Sequence, residues 1–69
     1  MQDTINQIAD LLAQYNPALA NAFRNQPFQR KNLAYAFMAG CTPDSKPAKV
    51  GALAIQAAYL DIETRRLAA

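Results

Sequence analysis

The polar and apolar positions along the chain follow helical periods throughout. Ile5, Ile8, Leu12 and Tyr15 recur at i, i+3 and i+7, with Ala9 and Leu11 beside them, while Asn6, Gln7, Asp10 and Gln14 fall on the other side. This is an amphipathic helix with one face to bury. Asp3 or Thr4 is placed to cap it, which predicts a helix over 4–15. In "NPALANAFRNQP", Asn16 is a good cap and Pro17 suits the first helical position, where its missing N–H costs nothing. Leu19 and Phe23 share a face. Pro27 disfavours helical geometry at Gln26, so the second helix should run over 17–25.

A third helix is predicted over 28–39, ended by Gly40 in the left-handed conformation that glycine readily takes after a last turn. Its second half, "LAYAFMA", is apolar on every side, which places 33–39 at the centre of the bundle. Ser45 is a plausible cap for a long fourth helix over 46–67, with Pro47 just inside its start and Gly51 its one weak point. This helix carries two apolar stripes. Val50, Leu53, Ala57, Leu60, Thr64 and Leu67 alternate three and four apart, like the inner positions of a heptad, and are expected to pack on the other helices. Ile55, Tyr59 and Ile62 form a second stripe, expected to meet either the same core at a different place or another molecule.

The expected fold is therefore all-α, a single domain over 1–69 in which three shorter helices pack on a long C-terminal one. Leu12, Phe23, Leu33, Phe37, Leu53 and Leu60 are expected in its core. Gly51, costly inside a helix, is expected at a close helix–helix contact.

Composition sharpens this picture mainly by exclusion. Fifteen of the 69 residues are Ala, leaving nineteen large apolar side chains between Ile5 and Leu67 for a core. A chain of this length buries only about 60% of its unfolded surface, and without a disulfide or zinc staple it needs tight helix packing or a second subunit. Cys41 is the only cysteine, and there is no histidine. A structural metal site, a cofactor and an imidazole acid–base are therefore not expected. Cys41 follows the third helix, where the negative end of the dipole opposes a thiolate. The five acidic residues are dispersed, and Gly40 and Gly51 form no phosphate-binding pattern. No enzyme is expected. No apolar run approaches the roughly 18 residues of a membrane span. "MQDTINQ" lacks the pattern of a secretory leader, so a cytoplasmic protein is expected.

The net charge of +2 is unevenly spread. Residues 24–49 hold Arg24, Arg30, Lys31, Lys46 and Lys49 against Asp44, a basic middle that could face an acidic partner. Two functional readings follow. In the first, the protein is a protein-binding module (an adaptor, inhibitor or small regulator), with Ile55, Tyr59 and Ile62 as interface and a homodimer joined through the fourth helix. Its eleven Asn and Gln residues make a surface better suited to a protein partner than to a polyanion.

In the second, "MAGCTPDSKPAKVGAL", residues 38–53, is the turn of a DNA-binding helix-turn-helix of phage or plasmid type. Ala36 would let the two helices approach, and Gly40, four residues on, would make the turn. Ser45, Lys46, Lys49 and Gln56 would contact nucleic acid, the lysines at phosphate and Gln56 at adenine. The segment "AGCTPDSKPAKVGALAIQ" is similar to the turn of the DNA-binding region in small DNA-packaging subunits of phages, a resemblance covering under a third of the chain. Against this reading stand the long turn, the lack of arginine at the start of the fourth helix and the small net charge.

Overall fold

The computed structural model describes residues 2–68. Four helices follow one another, α1 (Gln2–Ala13), α2 (Pro17–Asn25), α3 (Arg30–Ala39) and α4 (Lys46–Ala68), with a single 3-10 turn at Pro27–Gln29 leading into α3. At about 1.5 Å per residue, α4 is ~34 Å long. The molecule measures 37 × 19 × 17 Å, so α4 spans its whole length. Of the three shorter helices, α1 and α3 pack on α4, whereas α2, expected there too, packs on α1 and α3 instead.

Local signals explain the helix ends. Asn16 Oδ1 accepts from the Leu19 amide at 3.1 Å, and Pro17 opens α2. Gln26, ahead of Pro27, is extended at φ −123° and ψ 81°, which ends α2 as expected. α1 starts and stops two residues earlier than predicted. Asp3 lies inside its first turn and Thr4 within the helix, so neither caps it. At its other end Tyr15 and Asn16 both donate to the Leu12 carbonyl, which closes the helix before Asn16 turns to cap α2. Tyr15 consequently stands in the turn, half-exposed, its ring 6.2 Å from that of Phe37.

Gly40 is not left-handed. Its φ is −89°, and Gly40 and Cys41 donate in tight i to i−3 bonds to the carbonyls of Phe37 and Met38. The left-handed residue is Asp44, at φ 64°, a conformation that Asp and Asn tolerate better than most side chains. Ser45 then caps α4 as predicted, Oγ accepting from the Ala48 amide at 3.2 Å and donating to the Thr42 carbonyl at 2.6 Å.

The core is built asymmetrically. Its large members come from the first three helices: Ile5, Ile8 and Leu12, then Phe23, then Phe37. α4 contributes Ala48, Gly51, Ala54, Ala57 and Ala58. Val50 and Ile55 pack against the edges of the core, half-buried. Where α4 is fully buried it presents small side chains, which lets its neighbours' large ones reach its backbone, and bulk on one side is matched by its absence on the other. Gly51 marks the closest approach. A Cβ there would lie 3.1 Å from Met38 Cβ and 3.3 Å from Phe37 Cδ2, so the predicted close contact is made, against α3.

This packing corrects two expectations. Leu53, Leu60 and Leu67 do not enter the core; they are 48%, 58% and 85% exposed and face away from it. Of the predicted core, Leu12, Phe23 and Phe37 are buried and Leu33 is half-buried. Nor is α3 enclosed on all sides. Ala34 and Phe37 are buried, whereas Tyr35, Ala36 and Ala39 are exposed. Alanine counts as apolar in a helical pattern yet has little surface to hide, so "LAYAFMA" reads as more buried than it is.

One buried polar junction ties the bundle together. Arg30, 2% exposed, donates through Nε to the Phe23 carbonyl at 2.7 Å and through Nη2 to the Arg24 carbonyl at 2.8 Å, satisfying acceptors at the end of α2. Nη1 donates to Asp61 Oδ2 of α4 at 3.1 Å, and Nη2 reaches Gln2 Oε1 of α1 at 3.4 Å. Arg65 donates to the same Asp61 oxygen at 2.9 Å. No side-chain nitrogen or oxygen is left buried without a partner among the described residues.

Candidate protein-binding face

The three residues singled out as an interface lie on the flank of α4 that adjoins α3. Ile55 is half-buried and packs against the core, which leaves Tyr59, 45% exposed, and Ile62, 39% exposed, as its open surface. Tyr59 is held in place by α3. Its hydroxyl lies 3.1 Å from that of Tyr35, the two rings meet edge to face at 6.4 Å, and Lys31 Nζ sits 5.9 Å from the Tyr59 ring centre. The hydrogen bond to Tyr59 raises the Tyr35 phenol above its ordinary range, with a smaller contribution from burial.

Phe28 extends this surface. It sits in the 3-10 turn, 89% exposed, beside Ile62 at the rim of a groove of about 460 Å3 that also takes in Lys31, Arg65 and Arg66. Arg65 is bonded to Asp61, and Arg66 lies 3.6 Å from Glu63, so Lys31 is the cation of this rim with no acidic partner among the described residues. A shallower groove between Tyr59 and Leu60 continues along α4 past Ile55. The face is thus an aromatic and aliphatic surface with a cationic edge. It offers bulk, ring faces and a few hydrogen-bond donors.

The residues assigned to nucleic acid are not gathered into one basic surface. Ser45 is engaged as the cap of α4. Lys46, Lys49 and Gln56 are exposed along the outer side of α4, and the line from Lys49 to Gln56 runs through Leu53. The basic middle is further reduced because Arg30 is buried against Asp61 and Arg24 pairs with Asp10 at 2.7 Å. Ala36 is exposed, and the close helix approach is made by Gly51 on Met38 instead, while Gly40 stands where α3 ends and the turn begins. Cys41 is half-buried, its thiol donating to the Phe37 carbonyl at 3.2 Å. The described residues hold no group of three or more potential metal ligands, and none of their helices is long and apolar enough to cross a membrane.

Sequence reasoning missed Phe28, Lys31 and Tyr35 as members of the face. Phe28 had a signal, since it is a lone aromatic in the polar run "NQPFQRKN". Tyr35 had none, because its exposure depends on which side of α3 meets α4. Comparison of the chain with protein-family models, with curated proteins and with solved structures finds no match.

Proposed function

We propose that this chain is a non-catalytic helical module that works through macromolecular contacts in the cytoplasm, binding another protein as an adaptor, inhibitor or small regulator and pairing with a second copy of itself through α4. The observation that carries the reading is the surface formed by Phe28, Tyr35, Tyr59 and Ile62. Phe28 stands in water, and Tyr35, Tyr59 and Ile62 each keep a large part of their surface open, although the bundle has a core beneath them. Apolar and aromatic groups joined on one face are the usual mark of a partner site, whereas single exposed ones are not.

A photo-cross-linking side chain placed at Phe28 should recover one protein that the same group placed at Asn21, on the exposed side of α2, does not. Ile62→Asp should abolish that product while leaving the helical circular dichroism unchanged. The alternative reading, DNA binding through α3, the turn and α4, rests on Lys46 and Lys49, exposed at the start of α4. It predicts duplex binding at about 50 mM salt that weakens steeply with added salt and disappears in Lys46→Glu/Lys49→Glu. Such binding, with no cross-link at Phe28, would replace the protein-binding reading.

A further inference from the structure

The leucines excluded from the core raise a question of their own. Leu53, Leu60 and Leu67 are spaced seven apart, and with Lys49, Gln56 and Glu63 they form a seam with alternating steps of four and three. The buried side of α4 is centred on Ala54, Ala58 and Asp61; at about 3.6 residues per turn the seam lies on the opposite side of the helix. It is the outermost line of a helix that runs the length of the molecule. A seven-residue apolar repeat along an open helix face is the pattern of helix-to-helix pairing.

We propose that this seam is the contact through which two copies of the chain pair, with their α4 helices antiparallel. The inference rests on the reading that the protein works through protein contacts and pairs through α4. It assigns the self-contact to Leu53 and Leu60, leaving the Tyr59 and Ile62 flank for a different partner.

Charge along the seam favours one orientation. Lys49 of the seam lies in the first half of α4 and Glu63 in the second, both exposed, while Arg65 and Arg66, also exposed in the second half, lie off the seam and are paired with Asp61 and Glu63. A parallel pair in register sets Lys49 against Lys49 and Glu63 against Glu63, which is unfavourable at such a seam. An antiparallel pair with Leu53 opposite Leu60 of the second copy brings Lys49 level with Thr64 of that copy, one residue, or about 1.5 Å of rise, from its Glu63. The same pairing recurs at the other end by symmetry, and the two helix dipoles oppose each other.

Self-complementarity is why the occupant is a second copy. The twofold axis of this register passes between Gln56 and Ala57, beside the middle residue of α4, Lys46–Ala68. Leu53 and Leu60 sit symmetrically about it, and Leu67 falls beside the aliphatic stem of Lys46. Such a contact, one helix wide, falls at the small end of specific interfaces, so the dimer should dissociate in the micromolar range.

Sedimentation equilibrium between about 10 and 500 µM tests this. Wild type should be in monomer–dimer exchange, and Leu53→Glu/Leu60→Glu should weaken the dimer at least tenfold with an unchanged melting temperature for the monomer. Lys49→Glu and Glu63→Lys should each weaken it several-fold, and the two together should restore it, because the swapped charges meet again only in the antiparallel pair. A wild type that stays monomeric at 500 µM overturns the proposal. So does a dimer broken by Ile62→Asp but not by Leu60→Glu, or a charge-swapped double variant no better than its parents. Should the leucine double variant unfold, the charge swap decides alone. Loss of the Phe28 cross-link with an intact dimer would instead count against the partner face and leave the seam standing.

Discussion

Arg30 and Asp61 meet across thirty-one residues of sequence, the guanidinium of one 3.1 Å from the carboxylate of the other, both nearly closed to water. The pair connects the start of α3 to α4, and through the Phe23 and Arg24 carbonyls it also fixes the end of α2. A charge taken out of water survives only when its partners are in place, so the junction makes relative helix placement close to all-or-none.

Removing one member should therefore cost far more than its exposed neighbour does. Asp61→Asn leaves Arg30 buried without its counter-charge and should destabilise the fold by about 3–5 kcal/mol, measured by thermal or urea unfolding. Arg65→Ala removes a half-exposed side chain from the same carboxylate and should cost less than about 1 kcal/mol. Equal effects would mean that burial is not what gives the junction its weight.

Gly51 tests the close approach of α4 to α3. Alanine there would gain up to about 1 kcal/mol of helix propensity. The added methyl would press on Met38 Cβ at 3.1 Å and Phe37 Cδ2 at 3.3 Å, and Met38 Cα stands only 3.4 Å away, so the neighbour cannot yield by rotating a side chain alone. Overpacking of this kind costs about 1–3 kcal/mol, and Gly51→Ala should lower the melting temperature. A rise would show that the contact is looser than the geometry states.

The asymmetric core makes a contrast between two large apolar residues. Phe37→Ala should cost about 3–5 kcal/mol, enough to unfold much of so small a domain. Leu60→Ala, at an outward position, should leave monomer stability within about 0.5 kcal/mol of wild type in dilute solution. Comparable losses would restore the leucine stripe to the core.

The tyrosine pair can be read by alkaline titration of phenolate absorbance. The bond to Tyr59 holds the Tyr35 proton, so Tyr35 should ionise above the ordinary value of about 10, and Tyr59→Phe should lower it. The folded form then binds that proton more tightly than the unfolded one. Its contribution to stability is present below pH ~10 and is lost as pH rises through the raised value. A Tyr35 titration unmoved by Tyr59→Phe would remove the bond as its cause.

The sequence by itself determined the helices and most of their ends. Period, Pro17, Pro27, Asn16 and Ser45 act through the local backbone, within one turn of the residue concerned. It also determined that α1 has one buried face, because polar and apolar residues there are cleanly separated. What only the tertiary structure decided is which side of α4 is inside. That helix offers alanines, leucines and an Ile/Tyr stripe at helical spacing, and apolar character alone favours the leucines. The choice went to the alanines because Ile5, Leu12, Phe23 and Phe37 already supply the bulk, leaving room at the centre of the α4 contact for a methyl or a hydrogen, with Val50 and Ile55 only at its edges. The partnership of Arg30 with Asp61 was equally out of reach, since an arginine in a run of polar residues looks solvated until the packing of three other elements closes over it. Local chemistry writes the elements, whereas volume and desolvation, which sum over residues distant in the chain, choose the faces.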